Sequence, residues 1–209
     1  MTKKVTEEME AFAMKKTCLL LPNGFEAYEA SVFTDVIGWN KLQGDGSTEL
    51  VAVGTRAKLT CTFNFTVLPE KLLSDVTVDE FDALALPGGF ESAGFYEDAY
   101  RPDVLAFIRE FDRQGKYIAS ICVGALPIGK SGALEGRTAT TYNLNNRMRQ
   151  TQLTEMGVNV IPDQPIVIDR NIITSFNPST ALDVAFLLLE KLTSTDNANH
   201  VKRLMGVIK

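Results

Sequence analysis

Three short apolar runs, each stopped by a turn, limit this chain more than any other feature: "TCLLLPNG" at 17–24, "ALALPGG" at 83–89 and "YIASICVG" at 117–124. Strands that are apolar on both faces need cover on both faces, as internal, mostly parallel strands have. The segments between them supply that cover. "YEASVFTDVIGWNKL" places Val32, Phe33, Val36, Ile37 and Leu42 at roughly helical spacing, and "RPDVLAFIREFDRQG" opens on Pro102 and closes on Gly115, as a helix does. "TELVAVG" and "RTATTY" read as further strands, "PIVIDRNIITSF" as a hairpin about Asp169-Arg170-Asn171, and "STALDVAFLLLEKL" as a helix capped by Ser179 or Thr180. "TCTFNFTVL" alternates, which predicts an edge strand or hairpin. The order predicts an α/β fold: a single-domain, doubly wound, mostly parallel sheet with helices on both faces. At 209 residues one core is expected, over 16–209, with residues 1–15 a frayed N-terminal extension.

Ligands of such sheets bind beyond the carboxyl ends of the strands. That rule gathers Glu26 or Glu29, Gly88-Gly89 and Cys122 at one pocket. Two chemistries compete there. Gly124 to Ser131 fits the phosphate-loop pattern G-x-x-x-x-G-K-[ST]. A phosphate loop needs its helix to start near the lysine, however, and Gly132 and Gly136 leave no room for one after Lys130. "DALALPGG" also lacks the aspartate that would help hold magnesium. The alternative is a nucleophile elbow, with Cys122 at a sharp strand-to-helix turn where the helix end favours a thiolate. Against it stands the common fate of a free cysteine, burial in a strand, which is the reading for Cys18.

Other classes fall away on composition. The net charge is -5 with no basic stripe, so no nucleic-acid partner is expected. No apolar run approaches a membrane span, and "MTKKVTEEMEAFAMKK" carries acidic residues where a signal peptide is apolar, so a cytoplasmic location is expected. Cys18, Cys61 and Cys122 form no C-x-x-C pair, which argues against a disulfide framework and a zinc site. No metal and no other cofactor is expected. His200 is the only histidine and lies near the C-terminus.

"NGFEAYEA", "LALPGGFESA", "ASICVGA" and "IITSFNPSTALDVAFLLLEKL" together resemble the ThiJ/PfpI superfamily of the class I glutamine amidotransferase-like, flavodoxin-like fold. The closer likeness is to the branch of the human parkinsonism-associated deglycase and chaperone. It runs from about Lys16 to the end. The resemblance implies an easily oxidised elbow cysteine at Cys122, a protonated glutamate at Glu29 that donates to its sulfur, and an oxyanion site of amides around Gly88, Gly89 and Val123. Glu26 is the competing carboxylate, read as a solvated loop or helix-cap acid. The resemblance also implies a homodimer, to which the segment around Cys61 would contribute.

The departures bear on chemistry. Peptidase-like relatives carry a histidine where this chain has Val123, and the deglycase branch carries one where it has Tyr142. Without a histidine to protonate a leaving amine, protease activity is not expected. Phe63 and Phe176 stand where relatives place arginines near the pocket, and Phe25, Phe90 and Tyr142 join them, which predicts an aromatic pocket for small neutral compounds rather than anions. The function expected is action on small reactive carbonyls in a glyoxalase- or deglycase-like manner through Cys122 and Glu29. The alternatives are a non-enzymatic oxidative-stress sensor or chaperone that oxidises the same cysteine, and a hydratase or hydrolase of another neutral small molecule.

Overall fold

A computed structural model describes residues 14–209, so the expected N-terminal extension lies outside the described residues over 1–13; the first strand already begins at Lys15. Eleven strands and seven helices follow in order among the described residues: β1 (Lys15–Leu21), α1 (Ala27–Gln43), β2 (Thr48–Gly54), β3 (Leu59–Thr60), β4 (Thr66–Val67), β5 (Lys71–Leu72) and β6 (Ala83–Leu86). Next come α2 (Phe95–Ala99), α3 (Pro102–Arg113), β7 (Tyr117–Ser120), α4 (Ala125–Ser131), β8 (Thr138–Ala139) and α5 (Met148–Glu155). The chain finishes with β9 (Asn159–Val160), β10 (Ile166–Asp169), β11 (Ile172–Ser175), α6 (Ala181–Leu192) and α7 (Thr195–Leu204). Among these helices none is long and apolar enough to cross a membrane.

Seven strands form one sheet in the order β10-β11-β7-β6-β1-β2-β5, parallel except for the β10-β11 hairpin. The three apolar runs become its centre, β7, β6 and β1, paired Leu84 to Ile118 and Cys18 to Leu84. Their buried side chains meet α1 and α6 on one face and α3, on which α4 packs, on the other. α3 shows why its sequence is helical: Val104, Phe107, Ile108 and Phe111 recur at three- and four-residue steps and are all buried.

One expectation needs correction: "RTATTY" forms only β8, which pairs with β9 in a separate two-stranded sheet instead of joining the main one. The segment about Cys61 takes the hairpin form of its two expected alternatives, as the small antiparallel pair β3 with β4. Thr180 stands at the cap position of α6 as expected but makes no side-chain cap there; Asn177 caps the turn before it by accepting from the Ser179 N–H. By contrast, α4 ends at Gly132, whose φ of +89° stops a helix, so Lys130 closes a helix as expected.

Candidate active site

The carboxyl ends of β1, β6 and β7 converge, and each delivers one part of the site. Beyond β7 the chain turns at Cys122, which holds φ at +55°, a left-handed value that a side chain adopts only at a cost. A short turn over Cys122–Gly124 then runs into α4. The Thr141 hydroxyl donates to the Cys122 carbonyl at 2.8 Å, and the Ile121 N–H donates to Leu86 at 3.2 Å, so the elbow is clamped from two sides. Gly124 is required there, since a Cβ would come within 2.7 Å of the Leu86 carbonyl oxygen.

Beyond β1, the Glu26 N–H donates to the Gly88 carbonyl at 2.8 Å, which fixes the start of α1 against the "PGG" turn after β6. In the first turn of α1, Glu29 is fully buried and its Oε2 accepts the Gly88 N–H at 2.6 Å. Its other oxygen, Oε1, is buried and makes no hydrogen bond of regular geometry among the described residues. Glu29 and Cys122 are nevertheless close enough for each to shift the other. Burial first, and then the charge of Glu26, push Glu29 up from 4.5 to about 8, against the pull of the Gly88 N–H and the Cys122 thiol. A buried carboxyl with that pKa carries a proton at neutral pH.

Cys122 departs from the expectation of a readily ionised thiol. It is 7% exposed, and burial followed by the charge of Glu29 raises it well above the ordinary thiol range, while the Val123 N–H pulls it back. The physical reason is desolvation: α4 has seven residues, too short a helix for its end to outweigh the loss of water. Cys18, inside β1, is fully buried, and the Cys61 sulfur accepts the Phe65 N–H at 3.1 Å. His200 is exposed on the outer side of α7.

Cys122 opens onto a cavity of about 110 Å³ whose wall includes Gly89, Phe90, Tyr96, Val123, Tyr142 and Arg149. Of the expected oxyanion amides, Gly89 and Val123 border this space, whereas the Gly88 amide is already engaged by Glu29. Phe90 and Tyr142 border it as well. Phe25 does not: it bridges Gly89 from behind, is 2% exposed, and lines a separate apolar groove with Leu19, Leu21 and Phe65. Phe176 is buried just beyond β11, outside this wall, and Phe63 reaches it only through Phe90, with ring centres 5.8 Å apart.

Two wall residues escaped the sequence reading. Tyr96 lies on the short helix α2, and Arg149 on α5 stacks over its ring with the guanidinium carbon 4.9 Å from the centroid. The pocket is therefore not purely aromatic and uncharged, although Arg149 is also paired with Glu91 at 3.0 Å. Tyr96 could have been suspected as an aromatic with a polar tip close behind the "PGG" turn; nothing in the pattern around Arg149 marks it.

Known proteins share this frame. The sequence profile described as the DJ-1/PfpI family matches residues 15–191. Protein DJ-1 homolog B of Arabidopsis thaliana is 27% identical over 188 residues, which make up 90% of this chain but 40% of that protein, so the chain spans less than half of that relative. The glutathione-independent glyoxalase DJR-1.2 of Caenorhabditis elegans is 27% identical over 202 residues, 94% of this chain and 100% of that protein. The crystal structure of Drosophila melanogaster DJ-1beta has a TM-score of 0.82 at 25% identity, covering 94% of this chain and 100% of the other. With the profile running from the first strand nearly to the end of α6 and the same architecture in a solved relative, the chain belongs to the DJ-1/PfpI family.

Proposed function

We propose that this protein converts small α-oxoaldehydes to α-hydroxy acids, using Cys122 as nucleophile and Glu29 as proton carrier, with no cofactor. The observation that carries the reading is the carboxyl of Glu29: Oε2 is occupied by the Gly88 N–H, which leaves the proton for the otherwise unpartnered Oε1 on the side of the thiol. A group with a pKa of about 8 gives up and regains a proton readily near neutrality. The naming of a relative as a glutathione-independent glyoxalase agrees with this chemistry.

The reaction balances without an oxidant. The Cys122 sulfur bonds to the aldehyde carbon and the thiol proton ends on the aldehyde oxygen, with the Gly89 and Val123 amides steadying charge on that oxygen. Glu29 first gives its own proton to water, as a group with a pKa of about 8 does for part of the time near neutrality, and the carboxylate so formed takes the hydrogen of the former aldehyde carbon as a proton. The electron pair moves onto the neighbouring carbonyl oxygen as an enediolate. Return of that proton to the second carbon, with the hydroxyl proton of the first oxygen passing to the second, gives the thioester of an α-hydroxy acid and leaves Glu29 as the carboxylate, which regains its proton from water. Water cleaves the thioester, releasing the acid and restoring the thiol. One carbon is oxidised, its neighbour is reduced, and one water is consumed.

The test is conversion of methylglyoxal to lactate by the purified chain. Cys122→Ala should fall to the uncatalysed rate, and Glu29→Gln should lower kcat by about 10²-fold or more. Undiminished turnover in Cys122→Ala would remove the proposal.

A further inference from the structure

Tyr96, on the wall of the cavity beside Cys122, carries a hydroxyl group with no task. The Tyr96 oxygen is buried and has no hydrogen-bond partner among the described residues, although its ring forms part of the wall that Cys122 opens onto. Buried phenols normally find a partner, so an unpaired one at a ligand cavity points to a group brought in from outside.

Its surroundings hold it rigidly. Phe95, next to it on α2, is fully buried, and Asp98 on the same helix is 1% exposed. Asp98 accepts from the Asn23 N–H at 2.9 Å, the Thr55 hydroxyl at 2.5 Å and the Arg56 guanidinium, which ties α2 to the loops following β1 and β2. Above the ring, Arg149 donates through Nη1 to Gln152 at 2.9 Å and through Nη2 to Glu91 at 3.0 Å. Burial raises the Tyr96 phenol above its ordinary range, and the Arg149 cation over the ring pulls back against it, toward a stronger O–H donor.

We propose that Tyr96 is a substrate-binding residue whose hydroxyl donates to the second oxygen of a 1,2-dicarbonyl held on Cys122, with Arg149 as the positioning residue behind its ring. This rests on the glyoxalase-like reading above and assigns it an acid partner. Cys122 is followed by Val123, and Tyr142 borders the same cavity, so no imidazole lies in this wall. In the enediolate, negative charge develops on the second oxygen, where a preformed donor contributes more than it does toward the neutral ketone. The site would thereby select compounds with two adjacent oxygens over simple aldehydes.

Tyr96→Phe keeps the ring and removes only the hydroxyl. Its kcat on methylglyoxal should fall about 10²-fold, with KM changed much less. Its thermal midpoint and its rate of Cys122 alkylation by iodoacetamide should match the parent chain. Arg149→Met should lower kcat on the order of 10-fold, and should add little to the loss in a Tyr96→Phe background.

Turnover that dies in Cys122→Ala but survives in Tyr96→Phe overturns the assignment of Tyr96 alone. Alkylation slowed as much as turnover would place the hydroxyl on the sulfur, and a loss in Tyr142→Phe with none in Tyr96→Phe would transfer the role; both contradict the proposal. Absence of turnover in the parent chain overturns the glyoxalase-like reading and this proposal with it.

Discussion

Glu29 shows how one buried carboxyl can shape both chemistry and stability. Removing it from water costs more for the charged form than for the neutral one, and the nearby charge of Glu26 adds to that cost. In the unfolded chain the group titrates at its ordinary value of 4.5; in the folded chain it does so at about 8. Between these values the folded state binds the extra proton. The stabilisation from this group is therefore complete below the unfolded value and is lost as pH rises through the folded one. Glu29→Gln removes the dependence. Urea unfolding across that window should show the parent chain losing stability relative to Glu29→Gln with a slope that approaches about 1.4 kcal/mol per pH unit. Parallel curves for the two proteins would mean that the carboxyl is already ionised in the fold.

The elbow works because β6, β7 and α1 are packed with no slack at their ends. Gly88 fits between Glu29 and Val123, with a Cβ only 3.0 Å from atoms of each, so the "PGG" turn couples the acid to the nucleophile. Gly124 plays the matching part in the turn after β7. A methyl group there would lie 2.7 Å from the Leu86 carbonyl oxygen and 3.0 Å from that of Pro87, and backbone atoms at the end of β6 cannot yield as a side chain could. Gly124→Ala should destabilise the protein by about 1–3 kcal/mol, read as a lower urea midpoint with an unchanged slope. A neutral substitution would mean that β7 and its elbow can move off β6 freely. Such freedom would be hard to reconcile with the left-handed backbone at Cys122, which has to be held in place.

Across the chain, the inner sheet was legible because Leu19, Leu84 and Ile118 stand in runs apolar on both faces, a pattern few other environments accept. Strand ends and glycine turns gathered Cys122, Gly89 and either Glu26 or Glu29 at one edge, and only the resemblance to the ThiJ/PfpI superfamily singled out Glu29. The small β8-β9 sheet was not, since "RTATTY" and its partner are too short and polar to show which sheet they join. Nor were Tyr96 and Arg149, which come from two helices distant in sequence and meet only through packing. Phe25 and Phe176 were expected at the pocket, the second because relatives place an arginine there; Phe25 instead bridges Gly89 and lines another groove, and Phe176 is buried beyond β11. The ionisation of Cys122 depended on depth below the surface, which sequence spacing does not reveal. The proposed function rests on an acid that keeps its proton beside that sulfur. Infrared titration of the carboxyl C=O stretch, taken as the difference between the parent chain and Glu29→Gln, observes that proton itself. The band should be present at neutral pH, fade as pH rises through about 8, and be missing from Glu29→Gln; a band that has already vanished once pH passes 4.5 would contradict the account.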